Sequence, residues 1–511
     1  MAATVELTGS DLSIEDVERV AIGGATVSLT DTALQRIAAA RELVERAVEV
    51  GTPTYGVNTG FGRFVDVAIS REDVGRLQLN LLRSHACGVG EPFPREVVRA
   101  AMLLRANALA TGASGVRRET VELLLAMLAA GVHPVVPSRG SLGASGDLAP
   151  LAHLALPLVG EGQAEHGGQV MSGADALQLA GLAPVTLDAK EGLALINGTQ
   201  FMAAIGALLL RRGERLVKTA DLAAALSVEA VRGSRTPFSP EIQALRPHPG
   251  QIASAANLYR LLDDSQIVES HRWCGRVQDA YSLRCSPQVH GAVRDAAAYA
   301  AGVVSIEINA ATDNPLVFAD RGEVLSNGNF HGEPVAIALD TLKIALAELA
   351  GISERRIERM INPTMSEGLP PFLTKEGGLN SGFMIPHYVA ASLVAENKVL
   401  CHPASVDSIP TSAGQEDHVS MGATAAVHAW TVCDNVEHVL AVELLCGAQG
   451  LDFLDPLKPG PGIGLLHDAI RERSPHLEDD RSLAGDIEAV ASAIRDGSLL
   501  AAVESGFGSL N

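Results

Sequence analysis

The chain has 511 residues with 39 Lys+Arg and 60 Asp+Glu, which gives a formal net charge of −21. Hydrophobic residues make up 47% and charged residues 19%, which excludes a disordered chain, and the acidic balance argues against nucleic acid or an anionic membrane as a partner. Aromatic residues are only 4%, so Ala, Leu, Val and Ile must build the core, and we expect a mainly helical protein.

The compartment is predicted from three features of the sequence. The first twenty residues contain no basic segment followed by an apolar run, so no secretory signal is expected there. The six cysteines are scattered and include no Cys-x-x-Cys pair of the kind that zinc sites use. Uncharged stretches are broken by Gly, Asn, Pro and His and are poor membrane spans. Together these features predict a cytoplasmic protein without a metal site.

Residues 31–51 show helical periodicity, with Asp31 as the predicted cap and Gly51 as the stop. Residues 54–62 (TYGVNTGFG) then form a glycine-rich loop. Tyr55 in this loop has no obvious packing role, so it is a candidate functional residue.

Two further helices are predicted at 94–109 and 114–130, followed by an irregular segment at 131–146. The strongest helical pattern is at 334–361, whose length corresponds to roughly 40 Å at the α-helical rise. An apolar helix of this length is expected in a bundle between subunits. We therefore expect an N-terminal domain over residues 1–112 and a domain over 113–511 that contains a long antiparallel helical bundle. The apolar positions of the long helix are Val335, Leu339, Leu342, Leu346 and Leu349.

Several catalytic motifs are excluded by their spacing. Asp147 stands where the Gly-x-Ser-x-Gly motif of serine hydrolases needs its last glycine. Residues 460–464 (GPGIG) have neither the spacing nor the acidic partner of a dinucleotide loop. The sequence also has no phosphate-binding Walker motif, no His-Glu-x-x-His motif and no lysine in the setting of a pyridoxal Schiff base.

Ala144-Ser145-Gly146 places a serine between two small residues. The Gly146 nitrogen can attack the Ala144 carbonyl to close a five-membered ring, and loss of water from the ring and from Ser145 would leave a methylidene-imidazolone, a strong electrophile. Glycine leaves the attacking nitrogen unhindered. The tripeptide alone is weak evidence, because residues 113–115 repeat it and are predicted to be only a helix start capped by Ser114.

The surroundings of this tripeptide are more specific. Residues 140–156 (GSLGASGDLAPLAHLAL) resemble the prosthetic-group segment of the aromatic amino-acid ammonia-lyases. Further segments resemble the same family, in family order and over nearly the whole chain, with most similarity to the members that act on histidine. These segments are 55–62, 80–85, 197–200, 277–285, 328–331, and 405–412 with 415–421.

The resemblance implies a carbon–nitrogen lyase of the ammonia-lyase/aspartase-like fold. It implies a homotetramer whose active sites combine residues of several subunits. The cofactor would be the methylidene-imidazolone formed from Ala144, Ser145 and Gly146, with no external cofactor. On this basis the reaction would convert L-histidine to trans-urocanate and ammonia, the first step of histidine degradation.

The resemblance also implies roles for two tyrosines and an arginine. Tyr55 would remove the β-proton, which requires a site that favours phenolate because the pKa of free tyrosine is about 10. Tyr281 would either assist proton transfer or help to hold the substrate, and the sequence leaves open which tyrosine is the base. Arg284 offers a planar two-pronged donor for the substrate carboxylate. Gln278 and Tyr281 would share roughly one face with Arg284 if this segment is helical.

Two further residues are placed near the electrophile by the resemblance. Asn197 lies in a turn-prone Asn-Gly and can donate from its amide to the imidazolone oxygen, although a plain turn asparagine is the alternative. Phe330 would shape the loop around the electrophile, with core packing as an alternative.

The substrate prediction depends on His85 and Glu416, which can supply hydrogen-bond partners for the two nitrogens of an imidazole. Met384 either lines the same pocket or belongs to the core. Gly332, where alanine is usual, and Pro386 depart from the pattern and leave the shape of the pocket open. The alternatives are a tyrosine or phenylalanine ammonia-lyase or aminomutase with the same electrophile, and a catalytically silent helical scaffold.

Overall fold

The computed structural model describes residues 4–51, 54–60, 64, 67–143 and 147–511. Within these ranges the chain forms twenty α-helices and nine short strands, which confirms the predicted mainly helical class. The residues group into two compact units. The first unit comprises Met1–Arg211, Ala300–Asp340 and Pro403–Val427, and the second comprises Arg212–Tyr299, Thr341–His402 and His428–Asn511. The boundary predicted between residues 112 and 113 stays a prediction.

The first unit contains eight helices and all nine strands of the described residues. The helices are α1 (Ile14–Ala21), α2 (Asp31–Val50), α3 (Val74–His85), α4 (Arg95–Ala110), α5 (Arg118–Ala130), α6 (Leu148–Ala155), α7 (Gly173–Leu179) and α8 (Glu191–Ile196). The strands are β1 (Val5–Leu7), β2 (Val27–Leu29), β3 (Val89–Pro92), β4 (His133–Pro134), β5 (Pro137–Arg139), β6 (Gln163–His166), β7 (Gln169–Ser172), β8 (Leu316–Phe318) and β9 (Glu323–Leu325). Strands β1 and β2 pair in parallel, and β3–β5, β4–β6–β7 and β8–β9 are antiparallel.

Four long helices contain residues of both units, and eight helices belong to the second unit alone. The four long helices are α9 (Gln200–Ala230), α14 (Ser286–Glu307), α15 (Glu333–Ile361) and α17 (Gly422–Asp452). The other eight are α10 (Pro240–Ala244), α11 (Pro249–Leu261), α12 (Gln266–Ser270), α13 (Tyr281–Arg284), α16 (Met384–Leu400), α18 (Pro461–Arg471), α19 (Ala484–Arg495) and α20 (Ser498–Phe507). No helix among the described residues combines the length and the apolarity that crossing a bilayer needs.

Helix α2 occupies the range predicted for it and ends before Gly51, which adopts the left-handed conformation. The cap prediction is wrong by one residue. The Thr30 side chain accepts from the Ala33 amide at the N-terminus, and Asp31 is the first residue of the helix. An acidic residue in the first turn still stabilises the helix through the macrodipole.

Helix α4 matches the prediction for 94–109, but α5 begins only at Arg118, so the prediction that Ser114 is its cap is wrong. The carbonyl of Ala113 instead accepts from the Val317 amide of β8 at 2.8 Å, and this pairing holds the preceding segment out of the helix. Strands β4 and β5 lie within residues 131–146, so that segment is less irregular than predicted.

Helix α15 confirms the long helix predicted at 334–361, and all five apolar positions of its predicted stripe are fully buried. Helix α4 is buried over almost its whole length, with Val97, Val98 and residues 100–110 inside the first unit. Two polar residues, Arg105 and Asn107, are buried within this stretch.

Candidate active site

Ala144, Ser145 and Gly146 lie outside the described residues, but the segments on both sides of them are described. On the N-terminal side, the Gly143 carbonyl accepts from the Ser420 hydroxyl at 3.1 Å and from the Gly332 amide at 3.2 Å. The Met421 amide donates to the Leu142 carbonyl at 2.8 Å. These bonds join two of the family-like segments, 140–156 and 415–421, to Gly332, which directly follows a third at 328–331.

On the C-terminal side, Asp147 is completely buried. Its amide donates to the Gly198 carbonyl at 2.5 Å. Its carboxylate accepts from the Met202 amide at 2.9 Å and from the Ser141 hydroxyl at 3.2 Å. These hydrogen bonds lower the pKa of Asp147, but the effect of burial is larger and raises it to about 7. Sequence reasoning used Asp147 only to exclude a hydrolase and missed its position beside the tripeptide.

The frame around the tripeptide is tight. Gly143 has φ +74°, and a Cβ there would lie 2.4 Å from the Ser420 hydroxyl, so a side chain is excluded. At Gly332 a Cβ would lie 2.6 Å from the terminal methyl of Met202, which is a flexible side-chain end. Met202 therefore occupies the space that the methyl group of the usual alanine at position 332 would need.

Asn197 and Phe330 lie close in sequence to residues that hold the segments on either side of the tripeptide. Asn197 is buried at the C-terminus of α8, directly before Gly198. Phe330 is half-buried in the turn before α15, two residues before Gly332. The structure therefore places both residues next to the segments that flank the tripeptide. A fused ring of backbone atoms fits this setting, because both flanking peptides are held by hydrogen bonds and an amide side chain lies on the adjoining turn.

Tyr55 is half-buried in a turn at residues 55–57. The neighbouring Val57 is buried in a cluster with residues of α2 and α3, which fixes the loop to the core. A Cβ at Gly56 would lie 2.6 Å from Leu193 of α8, four residues before Asn197. The loop therefore contacts the helix that carries Asn197. Residues 61–63, which include the end of the tyrosine motif, lie outside the described residues.

His85 and Glu416 belong to different segments of the first unit, and the charge of Glu416 acts on the His85 ring. His85 ends α3, and its Nδ1 lies 2.9 Å from the Leu81 carbonyl, so this nitrogen carries a proton and donates. Burial lowers the pKa of His85, while the bond to Leu81 and the charge of nearby Glu416 raise it. Glu416 is oriented by the Thr411 hydroxyl, which donates to its carboxylate at 3.1 Å. Neutral His85 thus keeps Nε2 as an acceptor.

Gln278, Tyr281, Arg284 and Met384 belong to the second unit. Helix α13 has only four residues, and Gln278 precedes it outside any helix, so the predicted common face of Gln278 and Arg284 is wrong. The physical reason is Asp279, whose carboxylate accepts from the Ser234 amide at 2.7 Å and holds this stretch in an irregular conformation.

The Arg284 guanidinium lies 4.7 Å from the centre of the Tyr281 ring, and its Nε donates to the Asp279 carbonyl at 2.9 Å. Gln278 and Arg284 line one cavity of about 670 Å³, in which further arginines, including Arg232 and Arg276, provide positive charge. Such a cavity suits a carboxylate.

Met384 is the half-buried first residue of α16, and Pro386 lies buried in its first turn. His387 Nε2 contacts the Glu354 carboxylate at 2.7 Å. Among the described residues, His387, Glu354 and Glu358 form the only group whose ligand atoms come within 4.8 Å of one another, as a metal site would require. Glu354 is also paired with Arg355, so these residues form an ion-pair cluster.

The chain is similar over nearly its whole length to known proteins. The family model for aromatic amino acid lyases matches residues 12–472. A histidine ammonia-lyase of Gloeobacter violaceus is 60% identical over 505 residues, which cover 99% of this chain and 98% of that protein. The crystal structure of histidine ammonia-lyase from Trypanosoma cruzi is 45% identical with a TM-score of 0.91, covering 98% of this chain and 95% of that one. A tyrosine aminomutase from Streptomyces globisporus is 39% identical with a TM-score of 0.94 and 100% coverage of both chains.

Proposed function

The chain belongs to the aromatic amino acid lyase family, and on this premise we propose that it is an ammonia-lyase that converts L-histidine to trans-urocanate and ammonia. The observation that carries the substrate assignment is that the Glu416 charge acts on the half-buried His85 ring. An imidazole side chain needs partners for both ring nitrogens. The Glu416 carboxylate and the neutral His85 Nε2 both accept, so together they suit the two N–H groups of a protonated imidazole side chain, whereas a phenyl ring offers neither of them a donor at a cost in binding.

We assign the prosthetic group to Ala144, Ser145 and Gly146. As a methylidene-imidazolone the tripeptide supplies an electrophile that makes the amine nitrogen a better leaving group. Gly143 and Asp147 hold its two ends through the Ser420 and Gly198 contacts. The Asn197 amide is the donor assigned to the ring oxygen.

Elimination releases ammonia from the α-carbon and a proton from the β-carbon, so the site needs a base. Tyr55 is the base that we propose. The packing of its loop against α2 and α8 fixes its backbone. The phenolate has to be favoured by the assembled site, because the pKa of free tyrosine is about 10.

Arg284 and Gln278 are proposed to bind the substrate carboxylate, and Tyr281, beside the Arg284 guanidinium, is proposed to hold the substrate or to assist proton transfer. Met384 is proposed to line the pocket. We further propose a homotetramer whose active sites combine residues of several subunits.

The test is to incubate the purified protein with L-histidine, L-tyrosine and L-phenylalanine and to follow the near-ultraviolet absorbance of the unsaturated product together with ammonia. We expect product from histidine in large excess over the other two. Product from tyrosine and none from histidine would overturn the substrate assignment. It would favour the second candidate, a tyrosine ammonia-lyase or aminomutase, which the structural similarity to a tyrosine aminomutase supports.

A further inference from the structure

A buried arginine lies beneath the turn that carries Asn197. Arg105, on the central helix α4, is completely buried, and its Nη1 donates to the Asn197 carbonyl at 2.7 Å. Its Nε and Nη2 have no hydrogen-bond partner among the residues that the structure describes. Burying a guanidinium with donors unused is costly, so a structural role alone is a poor explanation.

A second pair of charges shares this environment. Lys190, at the start of α8, and Asp313 are both completely buried and form an ion pair of 2.7 Å. The charge of Asp313 acts on Arg105, and the charge of Arg105 acts on Lys190, so the three groups form one cluster. The same buried region also holds carboxyl groups, because the Thr199 hydroxyl donates to Glu307 and Asp147 lies beside Gly198, so Arg105 is one of several ionisable groups around the Asn197 turn.

The turn is shaped around the guanidinium. A Cβ at Gly198 would lie 2.8 Å from Arg105 Nη1 and 2.3 Å from the Gln200 side-chain oxygen, so only glycine fits. The Gly198 carbonyl, which follows directly, accepts from the Asp147 amide. The two successive carbonyls of Asn197 and Gly198 are therefore held by Arg105 on one side and by the residue after Gly146 on the other.

From this arrangement we propose that Arg105 is a positioning residue for the ring that forms from residues 144–146. It fixes the peptide between Asn197 and Gly198, and through that peptide it fixes the Asn197 amide and the anchor of Asp147. The inference rests on the proposed function and names a residue that acts through Asn197 without touching the substrate.

Two variants of Arg105 separate these effects. Arg105→Met removes the charge and the donor, and Arg105→Lys keeps the charge and one donor. We expect R105M to lower kcat roughly 10- to 100-fold, as loss of a charge-assisted hydrogen bond predicts, with little change in KM. We also expect a smaller dehydrated fraction of the peptide that contains Ser145, measured by mass spectrometry. R105K should restore most of both.

The matched control is Asn107→Ala on the same buried helix. The Asn107 amide donates to the Ile308 carbonyl at 2.9 Å and its oxygen accepts from the Gly9 amide at 3.1 Å, away from the turn. N107A should lower the unfolding temperature and leave kcat and dehydration unchanged. If R105M keeps both quantities, or if N107A loses them to the same extent, the proposal is overturned. If R105M does not fold, Arg105→Gln, which removes the charge and keeps a side-chain amide donor, takes its place: a loss of kcat and dehydration larger than in R105K supports the proposal, and no loss overturns it.

The readouts also separate this proposal from the proposed function. Dehydration of Ser145 is measured without substrate. If wild-type protein is dehydrated but inactive on histidine, and R105M is less dehydrated, the substrate assignment fails and the role of Arg105 stands. If wild-type protein is active on histidine and R105M matches it in dehydration and kcat, the substrate assignment stands and the role of Arg105 fails.

Discussion

The Asp147 amide donates to the Gly198 carbonyl at 2.5 Å, which joins the residue after Gly146 to the residue after Asn197. The segment proposed to carry the electrophile and the turn proposed to polarise it are thus connected through backbone atoms. A change in either segment is expected to affect the other. This connection explains why buried residues without substrate contact, such as Asp147 and Arg105, matter to the site.

The first prediction concerns the pH dependence of stability. The pKa of Asp147 is raised to about 7 from its ordinary value of 3.8. The folded state therefore holds a proton that the unfolded state releases, and stability falls as pH rises through this interval, by up to about 1.4 kcal/mol per pH unit. Asp147→Asn should flatten this slope. Urea unfolding of wild-type and D147N protein at about pH 5 and about pH 8 measures it.

Glu229→Gln is the matched control for this prediction. Glu229 is also buried with a pKa raised to about 7, and it accepts from the Gly460 amide at 2.8 Å within the second unit. The E229Q variant should flatten the pH dependence of stability to a similar extent without changing dehydration of Ser145. A slope in D147N equal to that of wild type would show that Asp147 titrates normally.

The second prediction concerns substrate choice. His85→Leu removes the Nε2 acceptor while keeping a side chain of similar bulk, and kcat/KM for histidine should fall roughly 10- to 100-fold. Dehydration of Ser145 should not change. His166→Leu is the control, because His166 is a half-buried histidine on β6. Equal losses in H85L and H166L would argue against a substrate contact at His85.

The third prediction tests the proximity of His85 and Glu416 directly. The Glu416 charge raises the pKa of His85, so Glu416→Gln should lower this pKa further below the ordinary histidine value. NMR titration of the His85 ring in wild-type and E416Q protein measures the change. An unchanged or raised pKa in E416Q would mean that the two side chains do not interact.

The fourth prediction concerns the base. Tyr55→Phe should lower kcat by roughly 10²- to 10⁴-fold, the range of a lost general base, with dehydration intact. Tyr281→Phe should cost less, since Tyr281 is 72% exposed in the chain and stacks on Arg284. A larger loss of kcat in Y281F than in Y55F would make Tyr281 the base.

Local patterns predicted much of the fold. The stripe in α15 and the stop at Gly51 follow from short-range periodicity and turn chemistry, so they were visible in the sequence. The start of α5 was not, because Ala113 pairs with Val317, and no local pattern reports a contact between residues so far apart.

The candidate site shows the same division. The motifs around Tyr55, His85 and Asn197 were recognisable as segments, but their assembly depends on contacts between segments. Arg105 donates to a carbonyl 92 residues away, and its only sequence signal is a charged residue inside an apolar helical stretch. Burying a charged side chain costs free energy unless it has a hydrogen-bond or ion-pair partner. The position of Arg105 inside a core helix therefore indicates that such a partner exists, but the sequence does not identify it.

The central claim is that Ser145 becomes part of a dehydrated ring, and the intact mass of the purified chain tests it most directly. We expect a wild-type mass that is lower than the mass calculated from the sequence by two water molecules, with the loss located in the peptide that contains Ser145. Ser145→Ala should abolish both this loss and ammonia release, whereas Ser114→Ala, in the other Ala-Ser-Gly, should keep both. A wild-type chain of unaltered mass that still releases ammonia from histidine would contradict the account.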